Sequence, residues 1–126
     1  MKTKNPTDSE LAILQILWDK GPNTVRFVNE YLNTADKKVG YTTTLKIMQI
    51  MMEKQLLSRK PAGRQHIYEA AVKKESIQKN LLEKFVEKTF KGSASQLVMQ
   101  LLGNKNASKE ELEEIKSLIE NLEKDA

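Results

Sequence analysis

Residues 41–68 read Tyr41-Thr42-Thr43-Thr44-Leu45-Lys46-Ile47-Met48-Gln49-Ile50-Met51-Met52-Glu53-Lys54-Gln55, then Leu56-Leu57-Ser58-Arg59-Lys60-Pro61-Ala62-Gly63-Arg64-Gln65-His66-Ile67-Tyr68. Periodicity makes the first part, Tyr41 to Gln55, a helix. At about 100° per residue, Ile47, Met48, Met51 and Met52 share one arc. Thr42, Thr43, Lys46, Gln49 and Glu53 share the opposite arc, with Leu45 and Ile50 at the edges. The Met-rich side reads as core, because thioether chains fill irregular gaps well. The other side offers hydroxyls, an ammonium and an amide. In the second part, two short runs flank the turn Pro61-Ala62-Gly63, which predicts a β-hairpin with Lys60 and Arg64 at its tip.

Upstream, Thr7-Asp8-Ser9-Glu10 has the form of a capping box, Thr7 capping and Glu10 reaching back to its amide. Leu11, Leu14, Leu17 and Trp18 follow at helical spacing, and Gly21-Pro22 stops the helix. Asn23 or Thr24 can cap a second helix, whose apolar members are Val25, Val28, Tyr31 and Leu32. Polar residues from Asn33 to Gly40 separate it from the third. Helix, helix, helix, hairpin is the order of a winged helix-turn-helix, in which the third helix enters the major groove of DNA and the hairpin lies along the backbone.

Charge placement agrees with that order. Residues 37–66 hold seven Lys and Arg against the single acid Glu53. Charge alone also fits a solvated basic face; on this helix and hairpin it points to a polyanion-contacting surface. Tyr41, Thr42, Thr43, Lys46 and Gln49 are the groove candidates: an amide can pair with adenine, and a threonine methyl can pack on a thymine methyl. Lys46 can reach guanine or phosphate, and Arg59, Lys60 and Arg64 are the phosphate candidates. Winged helices also serve as protein-interaction modules that bind no DNA, and these residues alone leave that alternative open.

From Lys73 onward the chain becomes charged and amphipathic, with ten basic and ten acidic residues. One stripe comprises Ile77, Leu81, Leu82, Phe85, Val86 and Phe90, closed by Gly92. Leu97, Val98, Leu101 and Leu102 form a short second helix closed by Gly103. Ser108-Lys109-Glu110-Glu111 is a further capping box, opening a third helix with Leu112, Ile115, Leu118, Ile119 and Leu122. Short helices gain stability chiefly by packing an apolar face against something, and a second copy of the chain is the simplest partner. The expected organisation is a mainly α protein with a small β-hairpin: a winged-helix DNA-binding domain, 1–72, and a three-helix dimerisation domain, 73–126. The dimer would rest on Leu81, Phe85, Leu97, Leu101, Leu112, Ile115, Ile119 and Leu122.

Other chemistries find little support. With one histidine and no cysteine, neither a Cys/His pair nor a multi-histidine metal cluster can be built, and no cofactor or enzymatic activity is expected. His66, beside Arg64, reads as a structural or nucleic-acid-facing imidazole. The acids Glu110 to Glu114 suit the first turn of a helix, where its dipole favours negative charge. No apolar run approaches the length of about 18 residues that spans a bilayer, and the N-terminus lacks the apolar stretch of a secretory signal. A cytoplasmic setting without direct membrane binding is expected.

Thr7 to Trp18, followed by Lys20-Gly21-Pro22 and Thr24-Val25-Arg26, resembles the opening of the BlaI/MecI penicillinase-repressor family. Tyr41-Thr42-Thr43-Thr44-Leu45 resembles that family's recognition-helix start, Gly63-Arg64 with Ile67-Tyr68 its wing, and Lys91-Gly92 with Leu97-Val98 the junction inside its dimerisation domain. The resemblance implies a bacterial repressor, homodimeric through its C-terminal helices, that binds double-stranded inverted-repeat operators and commonly guards β-lactam resistance genes. It also implies release by a membrane sensor metalloprotease that cuts the dimerisation domain, here near Gln100-Leu101, where better-known members have Asn-Phe. Gln55 stands where the family usually ends this helix with glycine, and Ile50 where arginine is common. The cysteine pairs of the family's copper-sensing branch are missing.

Overall fold

The computed structural model describes residues 5–34, 36–103, 108–111, 113–114 and 116–117. Its named elements are α1 (Asp8–Lys20), α2 (Val25–Leu32), α3 (Tyr41–Glu53), β1 (Leu57–Ala62), β2 (Gln65–Ala70), α4 (Lys74–Phe90) and α5 (Ala94–Gly103). The chain divides into two compact units, Met1–Leu81 and Leu82–Ala126, so the division falls within α4.

Local chemistry sets the helix ends of the first unit. The Thr7 hydroxyl accepts from the Glu10 amide at 3.2 Å, and the Thr7 amide donates to the Glu10 carboxylate at 2.9 Å, completing the expected box. Thr24, rather than Asn23, caps α2, accepting from the Phe27 amide at 3.1 Å. α3 closes with paired bonds from Leu56 N–H to Met51 C=O (2.9 Å) and from Gln55 N–H to Met52 C=O (3.0 Å). That is a Schellman closure, whose turning residue must take positive φ. Gln55 occupies that residue at φ +66°, which explains the family's usual glycine there.

The core of this unit joins Ile13, Leu14 and Leu17 of α1, Val25 and Val28 of α2, Met48 and Met51 of α3, and Leu56, Leu57 and Tyr68 at the hairpin. The arc expected to be greasy in α3 is the one that is buried. Leu11 is only half-buried, and Tyr31 is half exposed beside Phe27, with ring centroids 5.7 Å apart. Thr44 is fully buried as well; its hydroxyl accepts from the Asn29 amide at 2.8 Å, and the same amide donates to the Val39 carbonyl at 2.9 Å. Trp18 donates its indole N–H to the Val72 carbonyl at 3.1 Å, and Ile77 is buried at the start of α4.

The hairpin differs from its expected form. Pro61 and Ala62 belong to β1, which pairs antiparallel with β2 in the register Leu57↔Ala70 to Ala62↔Gln65. The turn is Gly63-Arg64, with Gly63 at φ +66° in its first position, as a II′ turn prefers. Arg64 is therefore at the tip, whereas Lys60 sits back along the strand opposite Ile67. Ala62↔Gln65 closes the turn as a hydrogen-bonded pair, so alternation makes Pro61↔His66 a non-bonded pair. Proline there removes no ladder bond. On the far side of β2, Tyr68 exchanges two backbone hydrogen bonds with Asn23, at 2.8 and 2.9 Å. The α1–α2 connection thus contributes a one-residue third strand.

In the second unit, Phe85 and Phe90 meet edge-on at 5.7 Å, and Ser93 caps α5 by accepting from the Gln96 amide at 3.2 Å. α4 ends through Lys91 and Gly92, both at positive φ. Residues 109–111, 113–114 and 116–117 are helical, with Ser108 accepting from the Glu111 amide at 3.1 Å. Among the described residues, no helix is long and apolar enough to cross a membrane.

Candidate nucleic-acid interface

Three segments of the first unit meet at one cleft: the start of α2, the start of α3 and the distal half of the hairpin. Thr24, Val25, Arg26, Tyr41, Leu45, Arg64, Gln65, His66 and Tyr68 line it, around a volume of about 120 Å³. The Thr24 cap sets where α2 begins, and so puts Arg26 on its first turn. The Asn23–Tyr68 bridge holds the hairpin against that helix start. Arg26, Arg64 and His66 are all exposed, and among the described residues no carboxylate lines the cleft.

Beside the cleft runs the polar face of α3, with Thr42, Thr43, Lys46 and Gln49 exposed in a row on the side away from Met48 and Met51. The Asn29–Thr44 hydrogen bond and the buried methionines fix the roll of α3 on α2, which decides what this face presents. Of the residues expected to contact DNA, the cleft brings together Tyr41 and Arg64. Arg59 folds onto its cross-strand neighbour, donating to the Tyr68 hydroxyl at 3.1 Å with its guanidinium carbon 6.0 Å from the ring centroid. Strand alternation sets Lys60 on the opposite face of the hairpin from Arg59 and His66.

Two features escaped the sequence reading. Arg26 carries no signal of its own in the sequence; only the fold delivers it to the cleft. Lys54, counted among the seven cations of 37–66, is committed elsewhere. Its ammonium bonds both carboxylate oxygens of Glu10, at 2.7 and 3.0 Å, tying the end of α3 to the start of α1. Burial pushes the Glu10 carboxyl up, but hydrogen bonds from Lys54 and from the Thr7 amide, with the charge of Lys54, outweigh it and hold the group below its usual value.

The residues expected at a dimer interface divide differently. Phe85 and Leu101 are exposed, as are Leu82, Met99 and Leu102, while Leu81 and Leu97 are half-buried. Leu112, Ile115, Ile119 and Leu122 lie outside the described residues. Gln100 is exposed beside Leu101.

Comparison with known proteins places this arrangement. No curated protein sequence matches the chain closely enough to count as a relative. Among solved structures, the transcriptional regulator Tm0710 from Thermotoga maritima matches at 20% identity over 91% of this chain and 77% of its own, with a TM-score of 0.50. A single-residue mutant of ZitR from Lactococcus lactis matches at 21% identity over 98% and 80%, with a TM-score of 0.44. The first likeness bears on the fold, which is that of winged-helix transcriptional regulators. The sequence profile of the penicillinase repressor family matches residues 6–121, nearly the whole chain. This winged-helix chain belongs to the penicillinase repressor family and is a transcriptional regulator.

Proposed function

We propose that the protein is a cytoplasmic homodimeric repressor, without catalytic activity, that places α3 in the major groove of inverted-repeat operator DNA. The observation that carries this is the exposed row Thr42, Thr43, Lys46 and Gln49 flanked by the acid-free cleft of Arg26, Tyr41 and Arg64. Base edges are read by the row, and the cations of the cleft beside it hold the DNA backbone. In this reading Arg59 and Lys60 serve the backbone from opposite faces of the hairpin.

The dimer is supported by apolar surface left uncovered on the single chain. Leu82, Phe85, Met99, Leu101 and Leu102 are exposed, and α5 buries none of its residues. Covering such surface stabilises by about 25 cal/mol per Å². Two chains related by a two-fold axis would match the two half-sites of a palindrome. Control of β-lactam resistance genes, with release by a sensor metalloprotease cutting at Gln100-Leu101, belongs to the same proposal. A cut there separates the stripe of α4 from the helix that begins after Ser108.

Sedimentation and gel shifts on the full chain test the reading. The expected result is a dimer that binds an inverted repeat from its own upstream region more tightly than random duplex. A monomer, or a protein that binds no duplex at low salt, overturns it.

A further inference from the structure

The cleft contains the chain's one histidine. Among the described residues, every ionisable group lining the cleft with His66 is a cation or a phenol: Arg26 from α2, Tyr41 from α3, Arg64 at the turn, and Tyr68 on its own strand. Arg59 stands next along the same face of the neighbouring strand, bonded to the Tyr68 hydroxyl. Glu69, the acid of β2, alternates to the other face. Cations gathered without a carboxylate suit an anion. The cleft, with a volume of about 120 Å³ and open to solvent, has room for a phosphate group.

We propose that this cleft seats a DNA backbone phosphate and that His66, when protonated, joins Arg26 and Arg64 as a third cation on it. DNA affinity then rises as the pH falls. The inference rests on the DNA-binding reading above and adds to it a proton taken up with the phosphate. Histidine is the side-chain type that can gain a positive charge without leaving the range of about pH 5 to 8, which is the range the test covers. Because a phosphate contact is independent of sequence, the coupling extends to non-operator DNA as well.

The probe is a fluorescein-labelled random 30-base-pair duplex, titrated with the full chain by anisotropy from about pH 8 to 6 at fixed ionic strength. The wild type is expected to bind about fivefold more tightly per bound chain at the acid end, the order of one partly exposed charge contact. Its salt slope should steepen by about 0.9 as one more counterion is released. His66→Gln should be flat at the weaker affinity, and His66→Lys flat at the tighter one. Thermal melts of both variants establish that they are folded. A wild type without pH dependence, or a His66→Gln variant that keeps it, overturns the inference while leaving DNA binding intact. A chain that binds no duplex at any pH overturns the DNA-binding reading and this inference with it.

Discussion

Replacing Glu10 by Gln separates an ion pair from the helix cap that shares its carboxylate. A glutamine amide oxygen can still accept from the Thr7 amide, so the capping box survives and only the charge facing Lys54 is lost. The two side chains differ in access to water: Glu10 is 5% exposed and Lys54 23%. Removing one partner of a fully buried pair costs about 3–5 kcal/mol, chiefly because the other charge is stranded. The ammonium of Lys54 can swing outward on its four-carbon stem, which reduces the loss for Glu10→Gln to about 2 kcal/mol. Lys54→Met strands the carboxylate, which cannot reach water, and should cost more, about 3 kcal/mol. Urea denaturation of the three proteins at neutral pH measures both losses. Since the folded Glu10 carboxyl lies below its usual value, its contribution is complete above the unfolded pKa and disappears as the pH falls through the folded one. The gap between wild type and Glu10→Gln should therefore hold down to about pH 5 and close at lower pH. A loss under about 1 kcal/mol for Glu10→Gln, or a gap that does not close in acid, refutes the account of how α1 is tied to α3.

Further outcomes follow from the same geometry. Gln55→Gly should stabilise the fold by about 0.5–1 kcal/mol, because the residue sits at φ +66°, and a shift in the denaturation midpoint reads it. Thr44→Val removes an acceptor from the Asn29 amide and should destabilise by about 1 kcal/mol, measured the same way. Lys46→Ala and Gln49→Ala should each reduce discrimination between operator and random DNA by about 1–3 kcal/mol in competition gel shifts. Arg26→Ala should weaken both DNAs alike and lower the salt slope by about 1. A fragment ending at Leu81 should be more stable than one ending at Val72, by about 1.5–3 kcal/mol, since only the longer retains the buried Ile77.

What could be read in advance was local. The Thr7–Glu10 box, the Gly21 stop and the two faces of α3 depend on residues within four positions of one another. What could not be read depends on distant partners. Glu10 and Lys54 are 44 residues apart, and only the assembled helices show that Lys54 leaves the basic surface. Arg26 becomes a cleft residue through the Asn23–Tyr68 bridge, which has no strand-like pattern in the sequence around Asn23. The turn begins two residues later than expected because proline, usually a mark of turns, is tolerated in an edge strand at a non-bonded pair. Thr44 falls on the same arc of the helical wheel as Met48 and Met51, so its burial follows the periodicity. What the sequence does not show is the partner of its buried hydroxyl, the amide that Asn29 brings to it from 15 residues away.

The hydrogen bond from Trp18 to Val72 makes the chain its own fluorophore-labelled sensor. The protein has one tryptophan, whose indole is tied to the carbonyl of the residue where the hairpin gives way to α4. Emission from that ring reports a single place, so a spectral change on adding DNA, protease or denaturant has one origin. Loosening of the connector ahead of α4 would shift the emission toward that of a hydrated indole even while the winged-helix core kept its circular dichroism. Events at the connector can thus be followed in the unmodified protein and separated in time from unfolding.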